Sequence, residues 1–224
     1  MRHDLQIAID GPAGVGKSTV GERLAKQIRY LYLDTGAMYR ALTWLALQRQ
    51  IDLEDAATLG ALAETFDLEI ILPTVTDGRQ YTVLVEGRDV TWELRSPEVD
   101  RAVSLVSRHA PVRAALRRRQ REIGERGGVV MAGRDIGTVV LPQAQLKIYL
   151  TASLEERARR RWLELRAKQD TVSTFEEVLA EVQRRDALDS AQSVPAADAI
   201  IVQTDHLSVE QVIQRILELA DERV

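Results

Sequence analysis

Cysteine and asparagine are both absent from the 224 residues, and lysine is nearly so, with four against twenty-six arginines. Without cysteine there is no disulfide, no thiolate zinc site and no cysteine nucleophile, and the chain fits a reducing compartment. The missing asparagine and scarce lysine suit a genome rich in G and C better than selection against heat-labile side chains, because hyperthermophiles do not usually deplete lysine. Long apolar runs are missing too: none approaches the ~18 residues that a membrane span needs. Met1-Arg2-His3-Asp4-Leu5 runs directly into a strand pattern, with no apolar core of the kind a signal peptide carries. The net charge of −4 argues against a general affinity for nucleic acid or an anionic membrane surface. His3, His109 and His206 stand apart, without metal-ligand spacing or a neighbouring nucleophile, and take no role. What remains is ordinary globular composition, 45% hydrophobic and 29% charged, at a length suited to one α/β domain with smaller inserts. The expectation is a soluble, cytoplasmic, monomeric protein.

Apolar periodicity then sketches the elements. Residues 5–9 form a short apolar run bounded by Asp10-Gly11-Pro12, the pattern of a buried strand. Val20, Leu24, Ala25 and Ile28 recur at helical spacing across 17–28. A short strand at 31–33 and helices over 37–47 and 56–66 follow. Residues 68–72 and 81–85 are β-rich, with Asp77-Gly78 placed as a hairpin turn would have it. The spacing predicts one long helix from Ser96-Pro97 towards Gly124, bent near Pro111. Strands follow at 129–132, 145–150 and 199–203. Ser153-Glu156, Thr174-Glu177 and Ser208-Gln211 have capping-box spacing and open three further helices. Alternating strands and helices imply a mainly parallel sheet with ligands at the strands' carboxyl ends.

Gly11-Pro12-Ala13-Gly14-Val15-Gly16-Lys17-Ser18 satisfies G-x-x-x-x-G-K-[ST] at every fixed position, between a strand and a helix. Its glycines let the loop curl until successive N–H groups face one phosphate cradle. The helix that follows adds the positive end of its dipole. Lys17 suits the β- and γ-phosphates and Ser18 a Mg²⁺ ion, so residues 11–18 together with Thr19 form the ATP site. GTP switches read guanine through Asn-Lys-x-Asp, which a chain without asparagine cannot contain. Motor and transport ATPases carry a hydrophobic strand ending in an acidic metal ligand. Here residues 129–132 run instead into Gly133-Arg134-Asp135, where an arginine suits an anionic substrate. Small-molecule kinases remain.

At the next strand-to-helix junction, Asp34-Thr35-Gly36-Ala37-Met38-Tyr39-Arg40 offers a hydroxyl, a helix N-terminus and an arginine to an acceptor phosphate. Equally, Thr35 would serve as a plain N-cap and Arg40 as a solvated helix residue. With these segments the chain resembles the bacterial cytidylate kinases. The resemblance continues through Glu86-Gly-Arg-Asp-Val90, Arg95-Ser-Pro-Glu-Val99, Pro111-Val-Arg113, Arg117-Arg-Arg-Gln-Arg121 and Ala132-Gly-Arg-Asp-Ile-Gly-Thr-Val-Val140. It extends over Glu156-Arg-Ala-Arg-Arg-Arg161, Arg185-Asp-Ala-Leu-Asp189 and Val194-Pro-Ala-Ala-Asp198, nearly the whole chain in order. It implies an α/β P-loop kinase fold: a five-stranded parallel sheet flanked by helices, with a small β-rich insert at about 68–95 and a helical lid at about 157–192. On that reading 1–224 is a single kinase domain whose monophosphate-binding region is about 35–125. The implied reaction is transfer of the γ-phosphate of ATP to CMP or dCMP, with Mg²⁺.

The resemblance also implies that Ser104, Arg113 and Asp135 read the base. Cytosine offers an N4 donor beside N3 and O2 acceptors, so a carboxylate and a guanidinium satisfy that edge together. Uracil puts an acceptor where the carboxylate wants a donor, and the unmatched polar groups penalise UMP. Thr35, Arg40 and Arg134 are similar to acceptor-phosphate ligands, and Arg185 and Asp189 to sugar ligands, although the latter spacing also fits an i,i+4 ion pair. Gln192 stands where many relatives carry an arginine, in a shortened segment. Arginines around the polar stretch 167–173 suit the charge that phosphoryl transfer spreads over its oxygens. Of these, Arg157 and Arg161 are expected to face inward and to act with Lys17 and Arg134 in catalysis. Trp44, Trp92 and Trp162 are expected to be packing residues. Competing readings are a related kinase acting on UMP, AMP or a non-nucleotide acceptor, and an ATP-binding regulatory or RNA-associated protein. The run 117–121 lacks interleaved aromatics, which favours a solvated helix face over RNA binding.

Overall fold

The computed structural model describes residues 5–71, 73–79, 81–167, 173–189 and 193–222. In chain order the first elements are β1 (Gln6–Asp10), α1 (Lys17–Ile28), β2 (Leu31–Asp34), α2 (Thr35–Gln48), α3 (Ala56–Thr65), β3 (Leu68–Ile71), β4 (Thr82–Val85) and β5 (Arg88–Asp89). There follow α4 (Pro97–Arg108), α5 (Ala110–Gly124), β6 (Val129–Ala132), β7 (Leu146–Thr151), α6 (Leu154–Ala167), α7 (Phe175–Asp189), β8 (Ile200–Gln203) and α8 (Val209–Asp221). Two compact units result, one of Met1–Tyr32 with Arg126–Val224, the other of Leu33–Glu125.

The first unit is built on a five-stranded sheet of order β2-β6-β1-β7-β8. β1 lies between β6 and β7 and pairs with both in parallel, Ile7 standing opposite Val130 on one side and Leu146 on the other. β7 pairs in parallel with β8, Ile148 opposite Ile200. Buried on both faces, β1, β6 and β7 read as near-continuous apolar runs, as parallel strands do. Val20 and Leu24 of α1 and Val212, Ile213 and Ile216 of α8 join Ile7, Ile9, Leu146, Ile148 and Leu150 in the main core. A smaller core lies between α6 and α7, where Ala158, Val178 and Val182 are packed by Leu154, Trp162, Leu165 and Phe175.

Local chemistry sets the helix starts. Ser208 and Gln211 complete a reciprocal capping box on α8. Thr174 and Glu177 do the same ahead of α7, with bonds of 2.9 and 3.2 Å. At α6 only half the box forms: Ser153 Oγ accepts from Glu156 N at 3.2 Å, while Ser153 N donates to Asp205. The Glu156 carboxylate is held instead by Arg159 and Arg160.

In the second unit α3 packs on α5 and α2 on α4, beside an antiparallel sheet of order β3-β4-β5. One expectation changes here. Residues 97–124 form two helices, broken at His109, whose φ of −68° and ψ of 122° are extended. Pro111 lies in the first turn of α5, where its missing N–H costs nothing, so a new helix starts instead of an old one bending. β3 and β4 pair antiparallel, Ile71 opposite Thr82, and Asp77-Gly78 lies in the connection between them, as the hairpin reading expects; the Asp77 carboxylate there is bound by Arg79 and by Trp92 Nε1. The two-residue turn is Glu86-Gly87, between β4 and β5, with φ of 53° and 75° as a type I′ hairpin requires.

Candidate functional site

The glycine loop follows the central strand β1. Gly11, Gly14 and Gly16 all have positive φ, and a Cβ at Gly11 would lie 2.2 Å from the Leu150 carbonyl oxygen. Gly16 precedes α1 and its carbonyl accepts from Val20 N at 3.0 Å. Lys17 Nζ rests on the loop itself, donating to the Gly11 and Pro12 carbonyls at 2.7 Å each. Ser18 and Thr19 follow in the first turn of α1.

Two arginines of α6 grip the same loop. Arg157 is buried, donates to the Ala13 carbonyl at 3.2 Å, and is held by both oxygens of Asp186 at 2.9 and 2.6 Å. Arg160 reaches the Val15 carbonyl at 3.4 Å and the Thr204 carbonyl at 2.6 Å, with Glu156 holding its Nε. Of the two arginines expected to face inward, Arg157 does so; Arg161 is half-buried and donates to Glu164 at 2.9 Å. The sequence offers Arg160 only as one of the arginines around the polar stretch, beside Arg157, Arg159, Arg161, Arg184 and Arg185, and does not single out Asp186. Twenty-nine residues separate Asp186 from Arg157, and no local spacing announces that pair.

Beyond β6 the backbone enters a π-helical turn, Ile136–Val140, where Val139 N and Val140 N both donate to the Asp135 carbonyl. Such turns are rare and concentrate at functional sites. Asp135 itself is buried. Arg134 Nε donates to Asp189 at 3.1 Å and its Nη1 to the Gly11 carbonyl at 3.2 Å; Arg185 Nε lies 4.0 Å from the same Asp189 oxygen. Arg134, Arg185 and Asp189 are thus brought together. Asp10, also overlooked from sequence, accepts from Ile136 N at 2.8 Å and Gly137 N at 2.7 Å. Burial pushes its carboxyl above the usual aspartate value, against the opposing pull of those two amides.

The second unit carries the remaining candidates. Thr35 is buried at the start of α2, but Asp34 is the cap, accepting from Gly36 N at 3.0 Å, so the plain N-cap alternative for Thr35 falls away. Tyr81 donates to Asp34 at 3.4 Å; burial, and then the Asp34 charge, push its phenol up. Arg40 Nη1 donates to the Leu94 carbonyl at 3.0 Å and to Asp100 at 2.6 Å. Ser104 is half-buried on α4, its carbonyl accepting from Ser107 Oγ at 3.3 Å. Arg113 is buried, not on the helix surface; its Nη1 donates to the Ser107 carbonyl at 3.1 Å and its guanidinium lies 5.9 Å from the Tyr39 ring centre. Trp44 is buried under Arg88, and Trp162 meets Phe175 edge-on at 6.4 Å, both as packing residues. Trp92 is half exposed and serves through its Nε1. Gln192 and 168–172 of the polar stretch lie outside the described residues.

Among the described residues no His, Asp or Glu cluster is fit to hold a metal by itself, and no helix is long and apolar enough to cross a membrane. A glycine cradle on the central strand of a parallel sheet, with its lysine and two arginines from one helix bonded to its carbonyls, defines the class as a P-loop kinase. Solved structures agree on the fold. Shikimate kinase from Bacteroides thetaiotaomicron aligns at a TM-score of 0.51 and 14% identity, covering 97% of this chain and 98% of that one. A gluconokinase from Sinorhizobium meliloti aligns at 0.50 and 14%, covering 99% and 97%. The family resolves further. The cytidylate kinase pattern matches residues 7–222. Cytidylate kinase of Herpetosiphon aurantiacus is 57% identical over 95% of this chain and 93% of its own length, and that of Bacillus subtilis 46% over 100% and 99%. The chain belongs to the cytidylate kinase family.

Proposed function

We propose that the chain transfers the γ-phosphate of ATP to CMP or dCMP, releasing ADP and CDP or dCDP. The observation that carries this reading is the loop 11–18 with Arg134 and buried Asp135 on the neighbouring strand's end, in a chain matched by the family over residues 7–222. Residues 11–19 hold the triphosphate, and Lys17 leaves its two carbonyls for the β- and γ-phosphates. Magnesium fits a donor set of this kind: it keeps several waters and takes few protein ligands when it arrives on phosphates. The Ser18 hydroxyl is its candidate ligand, and the ion would neutralise charge on the β- and γ-oxygens.

Thr35, Arg40 and Arg134 take the acceptor phosphate, Ser104, Arg113 and Asp135 the cytosine edge, and Arg185 and Asp189 the sugar. Residues 35–125 then serve as the monophosphate-binding region of one kinase domain, and 157–192 as its lid. Arg157 and Arg161, with Lys17 and Arg134, stabilise the charge spread over the transferring group. Arg161 would exchange Glu164 for phosphate to do so. The acceptor oxygen is already anionic near neutral pH, so the reaction needs positioning more than a base. We propose further that the enzyme acts in the cytoplasm, a reducing compartment that suits a chain without cysteine, and that it acts as a monomer.

The test is ADP formation with ATP and Mg²⁺, offering CMP, dCMP, UMP, AMP and GMP to the wild type and to Asp135→Ala. Strong preference for CMP and dCMP, lost in the variant, is expected. A folded, ATP-binding protein that turns over no monophosphate would refute the reading.

A further inference from the structure

We infer that Asp10 is a positioning residue for acceptor recognition: its carboxylate ties the segment bearing Arg134 and Asp135 to the start of the ATP loop. This deepens the proposed function and rests on Asp135 as the base-reading carboxylate.

The registered pairs of β1 and β6 end at Ile9 and Ala132, and Gly133 N still donates to the Ile9 carbonyl at 3.0 Å. Past that point the strands must diverge, since one enters the glycine loop and the other the π-helical turn. Asp10 carries the connection onward. One carboxylate oxygen accepts from Ile136 N at 2.8 Å and the other from Gly137 N at 2.7 Å. These are the first two amides after Asp135. The adjoining residue, Gly11, accepts from Arg134. The two candidate acceptor ligands are therefore bracketed by contacts to residues 10 and 11, next to the loop that would deliver the phosphate.

A purely structural strut has no need of a charge here. Asp10 is only 4% exposed, and removing an ionised carboxylate from water carries a large cost that a neutral side chain would avoid. What the ionised form adds is two acceptors at fixed separation, so that both amides are bonded at once and the turn has a single orientation. An asparagine keeps one acceptor but turns an N–H₂ towards the other amide. Gly137 offers an independent way to disturb the strut, because a Cβ there would lie 3.3 Å from Asp10 Oδ2 and 3.2 Å from Lys147 Cδ.

The experiment compares wild type, Asp10→Asn and Gly137→Ala by amide exchange at Ile136 and Gly137, by KM for ATP and CMP, and by the ratio of kcat/KM for CMP to that for UMP. Expected for Asp10→Asn are faster exchange at both amides, an increase of about tenfold in KM for CMP, and a fall of about tenfold in the ratio. KM for ATP should stay within about twofold, since no phosphate ligand is altered. Gly137→Ala should move the same quantities in the same directions, and it carries the test if Asp10→Asn does not fold. Faster exchange with an unchanged CMP-to-UMP ratio and unchanged KM for CMP would overturn the inference and leave Asp10 as scaffold. A wild type that does not prefer CMP would overturn the proposed function first; a wild-type preference kept by both variants overturns this inference alone.

Discussion

At Gly11 the backbone φ is +147°, and the Cβ of an alanine would stand 2.2 Å from a carbonyl of β7 that cannot move without tearing the sheet. Gly78 also has positive φ, +86°, but nothing lies within 4 Å of its would-be Cβ. The comparison separates strain from collision. Gly78→Ala should cost about 1 kcal/mol and leave ATP binding alone. Gly11→Ala should cost more, about 2–4 kcal/mol, and weaken ATP at least about tenfold, because the amides of the cradle are re-aimed. Thermal melts and nucleotide titrations on both variants would show this, and equal melts would contradict it. The residues of the loop were legible from sequence because their chemistry is local: three glycines, a lysine and a hydroxyl within eight positions. The contacts of Arg160 and Asp186 were not, since these partners lie far along the chain, the Val15 carbonyl for one and Arg157 for the other.

Helix α6 shows how an element's surface charge has an inward purpose. Glu156 binds Arg159 and Arg160, which hold its carboxyl below the ordinary glutamate value of 4.5. A lowered folded-state value means that the stability it supplies is fully present above about pH 4.5 and is lost as the pH falls through the folded value. The difference in melting temperature between wild type and Glu156→Gln should therefore be constant from about pH 6 to 8 and shrink below about pH 4.5. A difference that grew towards acid pH would reverse that sign. Helical periodicity gave the extent of α1 correctly and placed α2 and α3 to within a residue or two, since each buries one regular face. It missed the break at His109, because apolar spacing continues across it and only the position of Pro111 in a first turn marks a new start. The Asp-Gly turn does lie between the antiparallel strands β3 and β4, but the tighter turn at Glu86-Gly87 went unmarked: residues able to adopt positive φ mark several candidate turns, and strand register chooses among them.

At the scale of the whole molecule, burial is uneven. The inner strands β1, β6 and β7 are buried, whereas among the described residues α6 and α7 share a core of three buried apolar side chains and a few half-buried ones. Local opening should follow that difference. Amide exchange in α6 and α7 should be well ahead of exchange in β1, β6 and β7, and should slow when ATP and CMP are both added. Uniform exchange across these elements would show that the helix pair is as firmly fixed as the sheet.

The sheet order has a consequence for synthesis. β1 is synthesised well before its two neighbours in the sheet, which lie more than a hundred residues downstream, at Val129–Ala132 and Leu146–Thr151. Until those are made, an apolar strand and the phosphate loop behind it have no flank to pair with. Residues Leu33–Glu125, by contrast, are contiguous and hold every strand of their own small sheet. Residues 33–125 therefore have all their own strand partners before β1 has any, and the nucleotide cradle gains its flanking strands only once β6 and β7 have been made.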